Sequence, residues 1–414
     1  MAEKRIDLYE GADGFGGPDG LGGPDGSGDD SPTALSRRSF LKLGGFAAVA
    51  IAGSSWLVAC SKKDEPAAGE DAGEGAADGP GQDPPALPET RTVTNLDGTA
   101  ITIPYEVTQV AAIFGPSYER VVVVGAEDRI VCNGDFHIGG WPWSNVIYQY
   151  LNEVPGIPNA HSDLNVEDLV AQGVQLVFCF PNPQQAEAIT NAGLAAVPSA
   201  GTGKFRDIVG TIKLYADIFN DEKAHSQADA YARYFDDTLA MVKGRTANVG
   251  ERPRVYLAYT DLLHAYGKKS DMVEVIDAAG GVLASLDLDA GQNTEVTAEQ
   301  VMAWNPDFIF VDHAGSSGNA SAEDAITEAL AAGDLNNVPA VKNGQVYATP
   351  TGVFFWDSGV QKILYLVYIA KTIHPDLFED VDLKEMLIDF YRQFFFFDLS
   401  DEQATRILNH EDPV

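Results

Sequence analysis

Positively charged residues are scarce in this sequence. Its 414 residues include 27 Lys and Arg against 61 Asp and Glu, which leaves a formal net charge of −34 at pH 7. Such a surplus of negative charge repels the phosphate backbone on which nucleic-acid affinity depends. The composition therefore argues against nucleic acid as a partner.

Cysteine is also scarce, with three residues in the chain. Cys60 lies in the N-terminal segment, so only Cys132 and Cys179 remain for the folded part, and no disulfide framework is implied. Both close short apolar runs that are typical of strands. We therefore favour buried free thiols over a bridge between the two.

Sequence signatures of common enzyme classes are missing. The chain contains no Gly-x-Ser-x-Gly, no His-Glu-x-x-His, no P-loop and no cysteine pair at metal-ligand spacing. Its 7 histidines are spread along the chain, which weakens a direct Zn or Mn site. We predict no catalytic residue, no metal ligand and no intrinsic cofactor.

The N-terminal segment carries the pattern of an export signal. Arg37 and Arg38 precede a weakly apolar stretch at 43–59, and consecutive arginines indicate the twin-arginine route. Residues 57–60 resemble a lipobox, in which the chain is cut before Cys60 and this cysteine is acylated. A transmembrane anchor is the alternative, but the stretch is shorter than the roughly 20 residues that a bilayer crossing needs.

Two N-terminal segments should lie outside the fold. Residues 1–60 hold the signal and an acidic Gly-rich extension, and residues 61–90 are dominated by Gly, Ala, Pro, Asp and Glu. Neither can bury enough apolar surface to offset its chain entropy. We interpret 61–90 as a disordered linker that tethers the folded part to a membrane.

Strands and helices alternate in the remainder of the chain. Asp97-Gly98 between two alternating runs predicts a hairpin. Apolar runs then alternate with helical spacing on both sides of residues 205–247, which carry helical spacing and no strand signal. We predict an α/β fold with two lobes, 91–204 and 248–414, each with a mainly parallel sheet flanked by helices and joined by one long helix.

An internal similarity supports this division. Residues 166–178 and 298–310 match in pattern, with Phe178 opposite Phe310. Each stretch predicts a helix that leads into a buried strand, in equivalent places of the two lobes.

The order of these motifs resembles the substrate-binding lipoproteins of ABC importers for iron-siderophore, haem and cobalamin, a few of which take oxyanions such as molybdate. The hairpin and VTQVAAIFGPSYERVVVVGAEDRIV are similar to the opening of that family, and AEQVMAWNPDFIFV and VPAVKNGQVYATP to its second lobe. The resemblance implies two rigid lobes with the ligand in the cleft between them and small hinge motion. It also implies a permease and an ATPase as partners, and we expect a monomer.

The loops that follow the strands are the predicted binding surface, both from the resemblance and because open α/β sheets bind ligands at the carboxyl ends of their strands. Within 135–150, Gly139, Gly140 and Pro142 argue against regular structure, and the aromatic residues could form a wall for a flat chelate or pack on the lobe. We predict these ligand-binding residues: Ser117, Tyr118, His137, Trp141, Trp143, Asn182, Tyr259 and Trp356.

Histidine and lysine in these loops bear on the cargo. His137 could ligate a haem or cobalt centre or donate a hydrogen bond to an oxyanion, or it could be an exposed histidine with no role. The same alternatives apply to His264 and His313. Lys268 and Lys269 are the basic residues near these loops, so we favour a neutral or cationic metal chelate over an anionic catecholate. An oxyanion held by backbone N–H groups is the alternative.

Two further predictions concern surfaces. The resemblance implies one acidic residue on each lobe that docks to permease arginines, and Glu187 and Glu323 are the candidates, although both could be ordinary solvated carboxylates. Phe394 to Phe397 should pack as core, with a membrane or partner contact as the alternative.

Together these patterns predict an exported, lipid-anchored receptor that captures a metal chelate at the outer face of the cell membrane. An oxyanion receptor, an exported cofactor-bearing enzyme and a surface sensor without an importer are the alternatives.

Overall fold

A two-stranded hairpin opens the folded part. In this computed structural model, which describes residues 88–134, 142–314 and 322–414, β1 (Thr90–Thr94) pairs antiparallel with β2 (Ala100–Pro104). Gly98 takes a φ of 86° in the turn, where a residue with a Cβ is disfavoured. The hairpin predicted around Asp97-Gly98 is confirmed.

The first lobe contains a five-stranded parallel sheet. Its apolar runs are buried on both faces because helices cover both sides, as parallel sheets require. The spatial order is β5-β4-β3-β6-β7, with these bounds: β3 (Val110–Ala112), β4 (Ile130–Gly134), β5 (Gly156–Ile157), β6 (Leu176–Cys179) and β7 (Ala195–Pro198).

Four helices flank this sheet: α1 (Ser117–Val123), α2 (Pro142–Ile147), α3 (Val166–Ala171) and α4 (Pro183–Asn191). Short 3-10 turns lie at Glu127–Arg129 and Gln149–Glu153. The expectation of irregular structure around Pro142 is wrong, because Pro142 is the first residue of α2, a position where proline needs no N–H partner.

Two consecutive helices link the lobes. α5 (Asp207–Phe219) ends at Asn220, whose φ of 53° is left-handed, and the Asp221 side chain then caps α6 (Glu222–Thr246) by accepting a bond from the Ala224 N–H at 2.8 Å. These two residues turn the chain between the helices. The 25-residue α6 is the predicted long helix.

The second lobe contains a mixed sheet in the order β11-β9-β8-β12-β13, with β10 also pairing with β8. Its core pairs, β8 with β10 and β12, and β12 with β13, are parallel. The strands are β8 (Arg254–Ala258), β9 (His264–Ala265), β10 (Val282–Leu283), β11 (Thr294–Glu295), β12 (Phe308–Val311) and β13 (Val346–Ala348). The helices are α7 (Met272–Ala278), α8 (Ala298–Trp304), α9 (Ala322–Ala331) and α10 (Pro339–Lys342).

The internal similarity has a structural counterpart. α3 leads into β6, which lies between β3 and β7, and α8 leads into β12, which lies between β8 and β13. The two helix-strand steps therefore occupy equivalent places, as predicted.

Three helices close the chain: α11 (Lys362–Ile373), α12 (Leu383–Phe394) and α13 (Asp401–Leu408), with a 3-10 turn at Pro375–Leu377. Phe394 and Phe395 are buried, which confirms them as core. Phe396 is 43% exposed because its left-handed backbone turns the ring outward, against the prediction. None of the helices described is long and apolar enough to cross a membrane.

The largest core joins both lobes to α5, α6 and the C-terminal helices. Smaller cores lie on the other face of each sheet. Cys132 and Cys179 are buried free thiols, as predicted.

Candidate functional site

The segments that follow the strands of the two lobes meet in direct contact. The hydroxyls of Tyr118 and Ser144 lie 2.8 Å apart, and both lie within hydrogen-bond distance of the Val353 carbonyl oxygen, Ser144 at 2.9 Å. The Val360 N–H donates to the Glu119 carboxyl at 3.2 Å. We call these five residues the interlobe seam. It brings the carboxyl edges of the two sheets to the same region of the molecule.

Aromatic side chains cover the carboxyl edge of the first sheet. Phe114 and Phe180 follow β3 and β6, and their half-buried rings pack edge to face with centroids 5.3 Å apart. The exposed His161 ring lies 6.5 Å from Phe180. The N–H of Phe114 donates to the Phe178 carbonyl at 3.2 Å, which fixes the start of this loop. We call Phe114, His161 and Phe180 the first aromatic wall.

A second aromatic group covers the carboxyl edge of the second sheet. The ring of His313 is stacked 3.5 Å from Phe355 and lies 4.1 Å from Tyr259 on its other side. Its Nε2 is 3.0 Å from the Asp357 carboxylate, which also accepts a bond from the Tyr266 hydroxyl at 2.9 Å. We call Tyr259, His313 and Phe355 the second aromatic wall.

Two buried carboxyl groups beneath this wall have pKa values that are shifted in opposite directions. Burial alone would raise the pKa of Asp357, but the neighbouring His313 and the hydroxyl of Ser358 lower it below its usual range. Burial, followed by the Asp357 charge, raises the pKa of Asp312, which accepts a bond from Tyr365. At neutral pH the pair therefore holds one negative charge, on the carboxylate that contacts His313.

A third buried carboxyl group lies in the seam. Burial raises the pKa of Glu119 to about 8, although Arg120 and the Val360 N–H act in the opposite direction. Burial also raises the pKa of five tyrosines around it, and the Glu119 charge raises each of them further: Tyr118, Tyr148, Tyr215, Tyr231 and Tyr391. Glu119 is therefore mainly a neutral acid at pH 7, surrounded by phenols.

Of the predicted ligand-binding residues of the first lobe, Tyr118 belongs to the interlobe seam, and three others have partners elsewhere. The Ser117 hydroxyl donates to the Phe114 carbonyl at the base of the first aromatic wall. Trp143 is 2% exposed, and its indole N–H donates to the Glu411 carbonyl at 2.8 Å. Asn182 is exposed, and its side chain caps α4.

The remaining predicted residues lie in different surroundings. Tyr259 is half-buried in the second aromatic wall, whereas Trp356 is 1% exposed and its indole N–H has no partner in the described part of the chain. His137 and Trp141, like Cys60, lie outside the described residues. Ligand contact by any of these residues stays a prediction.

The predicted docking residues are both at the surface. Glu187 is exposed on α4 of the first lobe, and Glu323 is exposed in the first turn of α9 of the second.

Sequence reasoning missed several residues at this site. Phe114 and Phe180 directly precede the Gly-Pro and Pro-Asn turns on which the prediction centred. Counting the last residue before each turn as part of the predicted binding loop would have identified both. Arg120 was missed because it lies inside a helix rather than in a loop, and Phe355 because it neighbours the tryptophan that was chosen.

A cavity of about 710 Å³ lies between α11, residues 379–384 and α13. Two of its charged groups already have partners: Asp380 pairs with Arg245 at 2.6 Å, and the Lys371 ammonium donates to two backbone carbonyls. In the described ranges, no group of three or more His, Cys, Asp or Glu side chains is arranged to hold a metal ion.

Comparison with known proteins identifies the family. The family model described as periplasmic binding protein matches residues 110–352, which is more than half of the chain. The chain belongs to the periplasmic binding protein family. The match spans both sheets and the two linking helices, and Val353, Phe355, Asp357 and Val360 of the site follow directly after it.

Individual relatives agree with this assignment. The molybdate-binding protein MolA of Haemophilus influenzae is 26% identical over 197 residues, which are 47% of this chain and 53% of that protein, so the chain spans about half the length of this curated relative. A periplasmic solute binding protein from Veillonella parvula, known by its crystal structure, is 26% identical, with a TM-score of 0.66 over 77% of this chain and 97% of that chain. MolA bound to molybdate superimposes with a TM-score of 0.64 at 20% identity, over 75% of this chain and 99% of that chain, and this likeness shows the fold alone.

Proposed function

We propose that this family member is the membrane-tethered receptor of an ABC importer and that it binds a metal chelate between the two aromatic walls. The observation that carries the proposal is the placement of these walls at the carboxyl edges of both sheets. Small-molecule sites in α/β folds form at such edges, and they are mostly apolar with a few well-placed polar groups.

The chemistry of the walls supports a ligand with an organic shell. Phe114 and Phe180 place half-buried rings at the edge of one lobe, and Tyr259 places a half-buried ring at the edge of the other, where Phe355 is 5% exposed. Aromatic faces bury large apolar area and suit a flat or bulky chelate such as haem, a corrinoid or a ferric hydroxamate. Lys268 and Lys269 both form ion pairs with Asp289 at 3.2 Å, so their charges are already balanced without an anionic ligand.

Tethering and docking complete the proposal. Export through the twin-arginine signal and acylation of Cys60 would hold the receptor at the outer face of the membrane. Glu187 and Glu323, exposed on different lobes, would dock to permease arginines, and the ATPase would drive release. In this role the protein has no catalytic residue and acts as a monomer.

An oxyanion is the second candidate cargo. The relative MolA is named for molybdate, and a bare oxyanion needs hydrogen-bond donors rather than aromatic faces. A metal chelate would therefore depend on the aromatic rings of the walls, whereas an oxyanion would depend on hydrogen-bond donors near them.

The test is a thermal-shift panel on the full chain with haemin, cyanocobalamin, ferrioxamine B, molybdate and tungstate. A ligand at about a hundred times its dissociation constant adds roughly 2.7 kcal/mol of stability, which should raise the melting temperature by several degrees. Phe180→Ala should weaken binding of the active chelate, whereas Phe396→Ala, which removes an exposed ring away from the walls, should not.

Each result decides between the candidates. A shift with a chelate that is lost in Phe180→Ala supports the proposal. A shift with molybdate or tungstate alone replaces it by the oxyanion receptor. No shift with any member of the panel would contradict both.

A further inference from the structure

One cation next to the first aromatic wall lacks a counter-ion among the residues that the structure describes. Arg120 is 7% exposed and is the buried arginine among the residues described. Its guanidinium lies 5.5 Å from the centroid of the Phe114 ring. Burying a positive charge costs several kcal/mol unless a negative charge or a full set of acceptors compensates for it.

Compensation inside the described chain is incomplete. Arg120 takes part in no ion pair among the described residues, and its Nε is buried without a hydrogen-bond partner there. The Tyr215 hydroxyl lies near the guanidinium but is neutral, since burial raises its pKa. Glu119 is the nearest acid in sequence, yet it is bonded to Val360 and is mainly protonated at neutral pH.

Arg129 offers a direct contrast. Its guanidinium also lies over a phenylalanine, 5.0 Å from the centroid of the Phe219 ring. Arg129, however, forms an ion pair with Asp221. The two arginines thus share an aromatic contact and differ in whether a carboxylate balances the charge.

We propose that Arg120 is a ligand-recognition residue that receives an oxygen anion of the cargo, either a carboxylate on the edge of a chelate or a free oxyanion. This inference rests on the proposed function, because it places the anion beside the first aromatic wall. The ligand supplies the negative charge that the described residues around Arg120 do not provide, and Phe114 holds the apolar part of the ligand next to it. An arginine in such a place selects anionic over esterified or neutral forms of the same ligand.

The first measurement needs no ligand. In the full chain, Arg120→Gln should leave the melting temperature unchanged or raise it, because it removes an uncompensated buried charge. Arg129→Gln should lower the melting temperature, because it breaks an ion pair. A fall with Arg120→Gln as large as that with Arg129→Gln would show that the Arg120 charge is already balanced, and it would overturn the inference.

The second measurement uses haemin, which carries two propionates, haemin dimethyl ester, in which they are esterified, and molybdate. The wild type should bind haemin at least about tenfold more tightly than the ester. Arg120→Gln should remove this preference without changing the affinity for the ester, whereas Arg129→Gln should keep it.

The outcomes separate this inference from the proposed function. Equal binding of haemin and ester by the wild type, unchanged in Arg120→Gln, refutes the role of Arg120 and leaves a chelate receptor in place. Binding of molybdate alone, lost in Arg120→Gln, refutes the chelate and supports Arg120. Binding of molybdate alone that Arg120→Gln does not weaken refutes both. A failure of all three probes to bind refutes the role of Arg120, and cyanocobalamin and ferrioxamine B in the thermal-shift panel then decide the proposed function.

Discussion

Replacing Glu119 by glutamine should change how the stability of this protein depends on pH. The carboxyl group is fully buried, and its pKa in the folded state is about 8, against an ordinary value of 4.5. Glutamine has nearly the same shape as the protonated acid and can still accept the bond from the Val360 N–H. It cannot ionise, so it removes only the titration.

The sign follows from the raised pKa. The folded state keeps the proton between about pH 4.5 and 8, whereas the unfolded chain has lost it, so the contribution of Glu119 to stability is fully present at low pH. It decreases by up to about 1.4 kcal/mol for each pH unit in this window. The Glu119→Gln variant should therefore gain stability relative to the wild type by roughly 3 to 4 kcal/mol between pH 5 and pH 8.

Urea unfolding of both proteins at several pH values and constant ionic strength measures this difference. The other titrating groups are common to both chains and cancel in the comparison. Glu187→Gln, which makes the same change at an exposed site on α4, is the control for the loss of one carboxyl group. If the difference in unfolding free energy between the wild type and Glu119→Gln stays constant from pH 5 to pH 8, Glu119 is not a protonated buried acid.

Two other predictions concern packing and thiol chemistry. Gly267→Ala should cost about 2 to 4 kcal/mol in urea unfolding, because its Cβ would lie 2.6 and 2.7 Å from two backbone carbonyl oxygens, whereas Gly250→Ala, in open space, should change stability by less than about 0.5 kcal/mol. Equal midpoints for these two variants would contradict the close approach. In a Cys60→Ser variant, a thiol reagent at pH 8 should label the protein only after unfolding, because burial raises the pKa of both Cys132 and Cys179 to about 12. Rapid labelling of the native variant would refute their burial.

The fold was predictable because its signals are local. The Asp97-Gly98 turn, the apolar strand runs and the helical spacing of 205–247 each depend on neighbouring residues, and all of them are found in the structure. α11 (Lys362–Ile373) was not predicted: it is apolar around most of its circumference, with Leu364, Leu366 and Val367 all buried, so it shows little amphipathic periodicity.

The site was predictable only as a set of loops. Strand order places the strand ends together, but contacts such as the one between Tyr118 and Val353 join residues 235 positions apart and leave no local pattern. The charge balance around Arg120 likewise depends on whether a carboxylate lies close to it in the folded structure, which the sequence does not show. Long-range contacts and local charge balance exist only in the folded chain. The composition of the loops therefore predicted a binding cleft but did not predict a buried arginine beside it.

The interlobe seam has a consequence for synthesis. Tyr118 and Glu119 belong to the first lobe, yet their partners Val353 and Val360 lie near the end of the chain, and Trp143 bonds the still later Glu411. At the usual pace of translation, the ribosome adds these partners on the order of ten seconds after the first lobe has emerged. Until then its tyrosines and Trp143 face water, so the first lobe cannot mature alone and should depend on chaperones or on slow collapse during that interval.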